Sequence, residues 1–119
     1  LPKELGQPKE GEQPAAFIIL CTEGRETPWT GIDIGIAVRT MNLNAYVYGI
    51  GSCIIGNVEF EKVKEILSVP ETWIPRLALA LGYPSIVELP EDGSVKYYLD
   101  EERQYYVPKR KRKDISIIR

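Results

Sequence analysis

Two stretches of this chain could do chemistry. The first is Gly49-Ile50-Gly51-Ser52-Cys53-Ile54-Ile55-Gly56, where glycines, a hydroxyl and a thiol crowd together. The second is Lys109-Arg110-Lys111-Arg112-Lys113, a continuous run of cations. Glycine-rich backbone can bring main-chain N–H groups close to an anion or a flat ring. A thiol can act as nucleophile or metal ligand. Arginine guanidinium groups can grip phosphate with paired hydrogen bonds. Spacing narrows the first stretch. A dinucleotide fingerprint needs a third glycine where Ile54 stands, and it follows a strand, whereas this segment follows a helical pattern. The Gly-Lys-Ser/Thr of a P-loop is absent. Cys53 has no basic residue near it in sequence, and the chain contains no histidine. That excludes Cys–His and Ser–His–Asp catalysis and histidine-containing zinc sites. Cys21 and Cys53 cannot form a structural zinc centre by themselves, and both lie in apolar runs that suit reduced, packed thiols. No catalytic residue and no metal ligand is assigned. A glycine-rich turn remains, one that ends a helix and offers the main chain of Gly51, Ser52 and Cys53 to a flat ligand. From periodicity alone, a plain helix-terminating loop is the simpler account.

The elements around these stretches must position them. A length of 119 residues with 44% apolar residues fits one small domain. No run approaches a membrane span, and no signal-peptide pattern opens the chain. Residues 1–14 are polar and proline-containing, and read as a linker or loop. The chain opens on Leu1 rather than methionine, which reads as a fragment or processed piece of a longer protein. Residues 108–119 carry six of the 15 basic side chains and one of the 17 acidic ones, so the remainder is acidic. Reduced cysteines suit a cytoplasmic setting.

Residues 15–22, "AAFIILCT", read as a buried strand. Thr30 with Asp33 resembles a capping box, opening a helix from Gly31 to Tyr48 that Gly49 stops. That helix is apolar on more than one side, as expected of one buried in a core or against another subunit. Asn57 is expected to cap a second, amphipathic helix over 58–67, with Phe60, Val63, Ile66 and Leu67 as its apolar stripe. Residues 76–83 form another buried strand. Asp92-Gly93 marks a hairpin within 86–100, with Pro90 pushing one arm to an edge. The final residues, "ISIIR", are β-prone.

The order of these motifs resembles the C-terminal half of FMN-dependent nitroreductases. The matching residues are Asp33-Ile34-Gly35-Ile36-Ala37, then Gly49 to Gly56, then Ile66-Leu67-Ser68-Val69-Pro70-Glu71, then Leu81-Gly82-Tyr83-Pro84. The tail "VPKRKRKDISII" is similar to that family's closing segment. The resemblance spans about residues 14–85 and 107–119.

The resemblance implies an α+β fold, a mixed β-sheet flanked by helices, present here as its C-terminal part, with residues 15–119 forming one portion of a single domain and 86–100 a hairpin insertion. It implies an intertwined homodimer with FMN at the subunit interface, or pairing with the domain's own N-terminal half. The implied activity is an NAD(P)H oxidoreductase that reduces nitro compounds, quinones or related small-molecule acceptors by ping-pong hydride transfer. The cofactor-binding residues it implies are Ser52, Cys53, Ile54, Ile55 and Gly56 beside the ring, with Arg110 and Arg112 toward the phosphate or ring edge. No nucleic acid or membrane is expected as partner. The chain departs from the family pattern at Arg39-Thr40, where Gln-Asn is common, and at Asn44, where alanine is common. The Arg-Ser-x-Arg-type phosphate motif of the family's N-terminal half does not occur, so residues 1–119 alone are expected to be inactive. A flavin-less dimerisation or binding domain on the same fold is the alternative. A nucleic-acid binder is a third reading; Tyr105 and Tyr106 beside the basic run favour it, and the acidic body opposes it.

Overall fold

The computed structural model describes residues 8, 10–84, 87–88, 96, 98–102 and 104–115. They fall into two compact units, Leu1–Pro84 and Ser85–Arg119.

The first unit is built on a three-stranded antiparallel sheet. Strands β1 (Ala16–Glu23), β2 (Gly51–Ile55) and β3 (Trp73–Gly82) lie in the order β1-β3-β2, with helix α1 (Thr30–Val47) between β1 and β2, and helix α2 (Phe60–Ile66) between β2 and β3 in the chain. The α+β expectation holds. The longest strand, β3, takes the central place, where a strand buries both edges and much of both faces. Its Leu79 pairs with Ile18 on one side and Ile54 on the other. Leu77, Leu79 and Leu81 share one face, which packs with Leu20 of β1 against Ile34, Ala37 and Val38 of α1. The opposite face carries Ala78 and Ala80, also buried.

Helix α1 ends where Gly49 permits. Gly49 adopts φ +71°, its N–H donates to the Tyr46 carbonyl at 3.0 Å, and the Ile50 N–H donates to the Ala45 carbonyl at 2.9 Å. This pair of bonds is a Schellman motif, which needs a left-handed residue in that place. The start of α1 differs from expectation. Trp29 is the N-cap and no side chain caps the helix. The Thr30 hydroxyl instead accepts the Thr27 N–H at 2.9 Å, so the Thr30–Asp33 capping box does not form. Helix α2 is likewise shorter than 58–67, and Glu59, not Asn57, stands at its N-cap. Of its apolar stripe, Phe60 and Val63 are half-buried, while Ile66 and Leu67 are exposed.

Between β1 and β3 the ladder steps from Leu20↔Leu77 to Cys21↔Pro75, which leaves Arg76 as an extra residue on β3. Pro75 has no N–H to give the ladder, so a bulge there is expected. The bulge turns Arg76 onto the start of the β1–α1 connection. Its Nε donates to Thr22 Oγ1 at 3.0 Å, and its Nη2 pairs with the Glu26 carboxylate. The guanidinium thus ties the end of β1 and Glu26 of the β1–α1 connection to β3. Arg76→Met, which keeps the apolar stem, is expected to cost about 1.5 kcal/mol in denaturant unfolding. Arg76→Lys should recover only part of that loss, because an ammonium group cannot span both partners. Equal stability of all three proteins would contradict the tie.

In the second unit, β4 (Val87–Glu88), β5 (Tyr98–Leu99) and β6 (Tyr105–Tyr106) form a small mixed sheet ordered β4-β6-β5. β6 runs parallel to β4 and antiparallel to β5. The arms expected to pair as a hairpin over 86–100 therefore flank β6 rather than each other, and Asp92-Gly93 lies outside the described residues. Asp100 shapes the β5–β6 connection, its carboxylate accepting the N–H groups of Glu102 and Gln104 at 3.0 and 2.9 Å. The Tyr98 and Tyr106 rings stack at 4.9 Å with planes 4° apart. Arg112–Ile115 forms a single helical turn, α3. The β-prone residues 116–119 lie outside the described residues.

Candidate functional site

The glycine-rich segment is a strand rather than a turn. Only Gly49 serves the helix end; Gly51–Ile55 is β2, on the edge of the first sheet. Gly51 has a packing reason of its own. A Cβ built on it would lie 3.0 Å from the Pro84 Cβ and 3.3 Å from the Gly82 carbonyl oxygen. Glycine is required there by the close approach of the end of β3, where sequence reading assigns it to loop freedom.

Strand alternation divides the predicted residues. Ser52 pairs with Leu81 and Ile54 with Leu79, so both stand on the face that α1 covers. Cys53 pairs with Ala80 and Ile55 with Ala78, on the other face. Gly56 follows the strand and is exposed. These five residues share their outer main-chain edge. Among the described residues β2 has β3 as its one strand partner, so alternate N–H and C=O groups along the outer edge face away from the sheet. Cys53 is exposed and Cys21 half-buried, and both are free thiols. The expectation of a packed thiol fails for Cys53, which is exposed on a strand at the edge of the sheet.

Ser52 is held from α1. The Arg39 Nη1 donates to the Asn42 Oδ1, and the Asn42 Nδ2 donates to the Ser52 Oγ at 2.7 Å. Asn42 and Ser52 are both half-buried. Sequence reading does not single out Asn42, and marks Arg39 only as a departure from the family pattern. The signal available was an amide on a helix packed against a sheet, since a half-buried amide needs partners.

Arg110 and Arg112 belong to the second unit. Arg110 is exposed, and Arg112 opens α3. A groove of about 460 Å³ in the first unit lies elsewhere, between β1 and α1, lined by residues including Leu20, Cys21, Arg25, Asp33 and Met41. None of the predicted site residues lines it. Among the described residues no helix is long and apolar enough to cross a membrane.

Comparison with known proteins adds two findings. The family model described as "Nitroreductase family" matches residues 5–83. A protein of Bacillus subtilis (strain 168) named FMN reductase (NADPH) is 38% identical over 56 residues, which cover 45% of this chain and 22% of that protein. The chain thus aligns with less than a quarter of that relative's length.

Proposed function

This chain belongs to the nitroreductase family, and from that premise we propose that it supplies the ring-binding portion of an FMN-dependent NAD(P)H oxidoreductase. The observation that carries the reading is the outer edge of β2, which has no strand partner among the described residues and lies within the stretch that the family model matches. The donor set suits the cofactor. Main-chain N–H and C=O groups alternate along that edge, and the pyrimidine side of a flavin ring likewise mixes donors and acceptors. Small or apolar side chains at Ser52, Cys53, Ile54, Ile55 and Gly56 leave room for a flat ring against them. When bound, FMN supplies the two-electron chemistry between nicotinamide and acceptor. The chain's own part is to orient the ring, keep water from it, and donate hydrogen bonds where negative charge gathers. Arg110 and Arg112 are proposed to reach the phosphate or ring edge. The Bacillus protein's name supports NADPH as the reductant.

Nitro compounds, quinones or related small molecules are the proposed acceptors, reduced in a ping-pong cycle in the cytoplasm. A homodimer is proposed as the working assembly. Ile32, Ile36, Leu43 and Val47 recur along one flank of α1 and are between 50% and 77% exposed. An apolar stripe of that length on a helix otherwise packed on a sheet suits a second subunit.

The test is flavin absorbance of the full-length protein after incubation with FMN and gel filtration. Retained flavin supports the enzyme. A colourless protein supports the alternative, a flavin-less dimerisation or binding domain. Arg112→Ala is expected to weaken FMN binding about tenfold, the worth of one charge-assisted hydrogen bond, with Lys113→Ala near wild type. Equal small losses from both would remove Arg112 from the site.

A further inference from the structure

The Arg39–Asn42–Ser52 chain of hydrogen bonds has a fixed direction. A guanidinium group can only donate, so it must face the Asn42 carbonyl oxygen. The Asn42 amide nitrogen is thereby turned to Ser52 and donates to its hydroxyl oxygen at 2.7 Å. The hydroxyl is then an acceptor toward α1, and its own proton is left to donate elsewhere. Among the described residues no acceptor for that proton is found. Each bond in such a series polarises the next, so the positive charge of Arg39 strengthens the Ser52 hydroxyl as a donor. Ser52 stands near the start of the edge strand, half-buried, beside the outer main-chain edge that has no strand partner among the described residues.

We propose that Arg39 and Asn42 are positioning residues that present the Ser52 O–H as a directed hydrogen-bond donor to the electron-accepting ring bound along β2. The inference rests on the flavin reading above. It also gives a physical role to Arg39. A donor aimed at the ring favours the electron-rich reduced state over the oxidised one. Its loss weakens the binding of reduced flavin relative to oxidised flavin.

Asn42→Asp separates this role from a structural tie. The aspartate carboxylate still accepts from Arg39 and still bonds to Ser52, so the contact between α1 and β2 is kept. The direction of the second bond reverses, however. A carboxylate can only accept, so the Ser52 proton is drawn inward and away from the ring.

The experiment measures FMN affinity, flavin midpoint potential and thermal unfolding on the full-length protein. The variants are Ser52→Ala, Asn42→Asp, Asn42→Leu and the Ser52→Ala/Asn42→Asp double variant. Ser52→Ala and Asn42→Asp are each expected to weaken reduced relative to oxidised flavin binding about tenfold, which for a two-electron couple lowers the potential by about 30 mV. The double variant should match Ser52→Ala alone, because both remove one donor. Asn42→Asp should melt close to wild type, and Asn42→Leu, which removes the tie as well, should melt lower. Should wild type bind FMN while Asn42→Asp keeps the wild-type potential, the relay is overturned and the flavin reading stands. Should wild type bind no FMN, the flavin reading falls and the relay's ligand falls with it. If Asn42→Asp fails to fold, an unchanged potential in Ser52→Ala is by itself enough to overturn the proposal.

Discussion

Leu79→Ala is expected to lower the unfolding free energy by about 3 kcal/mol, the largest loss from any single truncation in the first unit. Leu79 has no solvent exposure and sits at the centre of the central strand, paired with Ile18 and Ile54. Its side chain contributes to the cluster with Leu20 and Val38 that joins sheet to helix. Truncation removes the transfer energy of the lost atoms and leaves a cavity between two elements whose hydrogen bonds prevent collapse. Urea unfolding of the full-length protein reads the effect as a lower midpoint at unchanged slope. Ile66→Ala is the reference: Ile66 is 78% exposed, and its loss should change stability by less than about 0.5 kcal/mol. A Leu79→Ala protein within about 1 kcal/mol of wild type would mean that the α1–sheet contact is not the main source of cohesion.

Gly51→Val carries the second large effect, about 2 kcal/mol, and acts on the site as well as on stability. Its Cβ would stand 3.0 Å from the Pro84 Cβ and 3.3 Å from the Gly82 carbonyl. Neither neighbour is the far end of a flexible side chain. Relief needs a shift of the strand itself, and overpacking of that kind costs roughly 1–3 kcal/mol. The strand that must shift is β2, so the variant should also lose FMN affinity. Gly56→Val is the matched control, because the nearest atom to a Cβ there is the Leu77 Cδ2 at ordinary contact, 3.7 Å. Its stability should stay within about 0.5 kcal/mol of wild type. Similar losses from the two substitutions would show that close approach is not what requires glycine at position 51.

These glycines show how far sequence reading reached. Gly49 was legible as a helix stop, because a left-handed residue after an apolar helix is a local requirement of the chain. Gly51, two residues on, was not. Its reason lies in Gly82 and Pro84, about thirty residues away, brought close only when β2 pairs with β3. Thr30 fails differently. Its capping pattern with Asp33 is sound locally, but Thr27 also competes for the hydroxyl and wins. The Cys53 expectation fails because an apolar neighbourhood in sequence does not reveal that the segment takes the edge of the sheet rather than its centre.

The sequence by itself determined the α+β class, the family resemblance, helix α1 with its stop, and strands β1 and β3. Each follows from local propensity, from apolar periodicity or from motif order, all of which are properties of neighbouring residues. Tertiary structure alone decided that "GSCII" is a strand, since five residues without an alternating pattern become one only when β3 offers an unpaired edge. It decided that Arg76 is bulged out to hold Thr22 and Glu26, because Pro75 breaks the ladder beside it. It placed β6 between the arms of the expected hairpin, since strand order depends on which edges meet and not on which segments are adjacent in the chain. It also joined Asn42 to Ser52 across the helix–sheet contact, and so gave the edge strand a directed donor that spacing could not reveal.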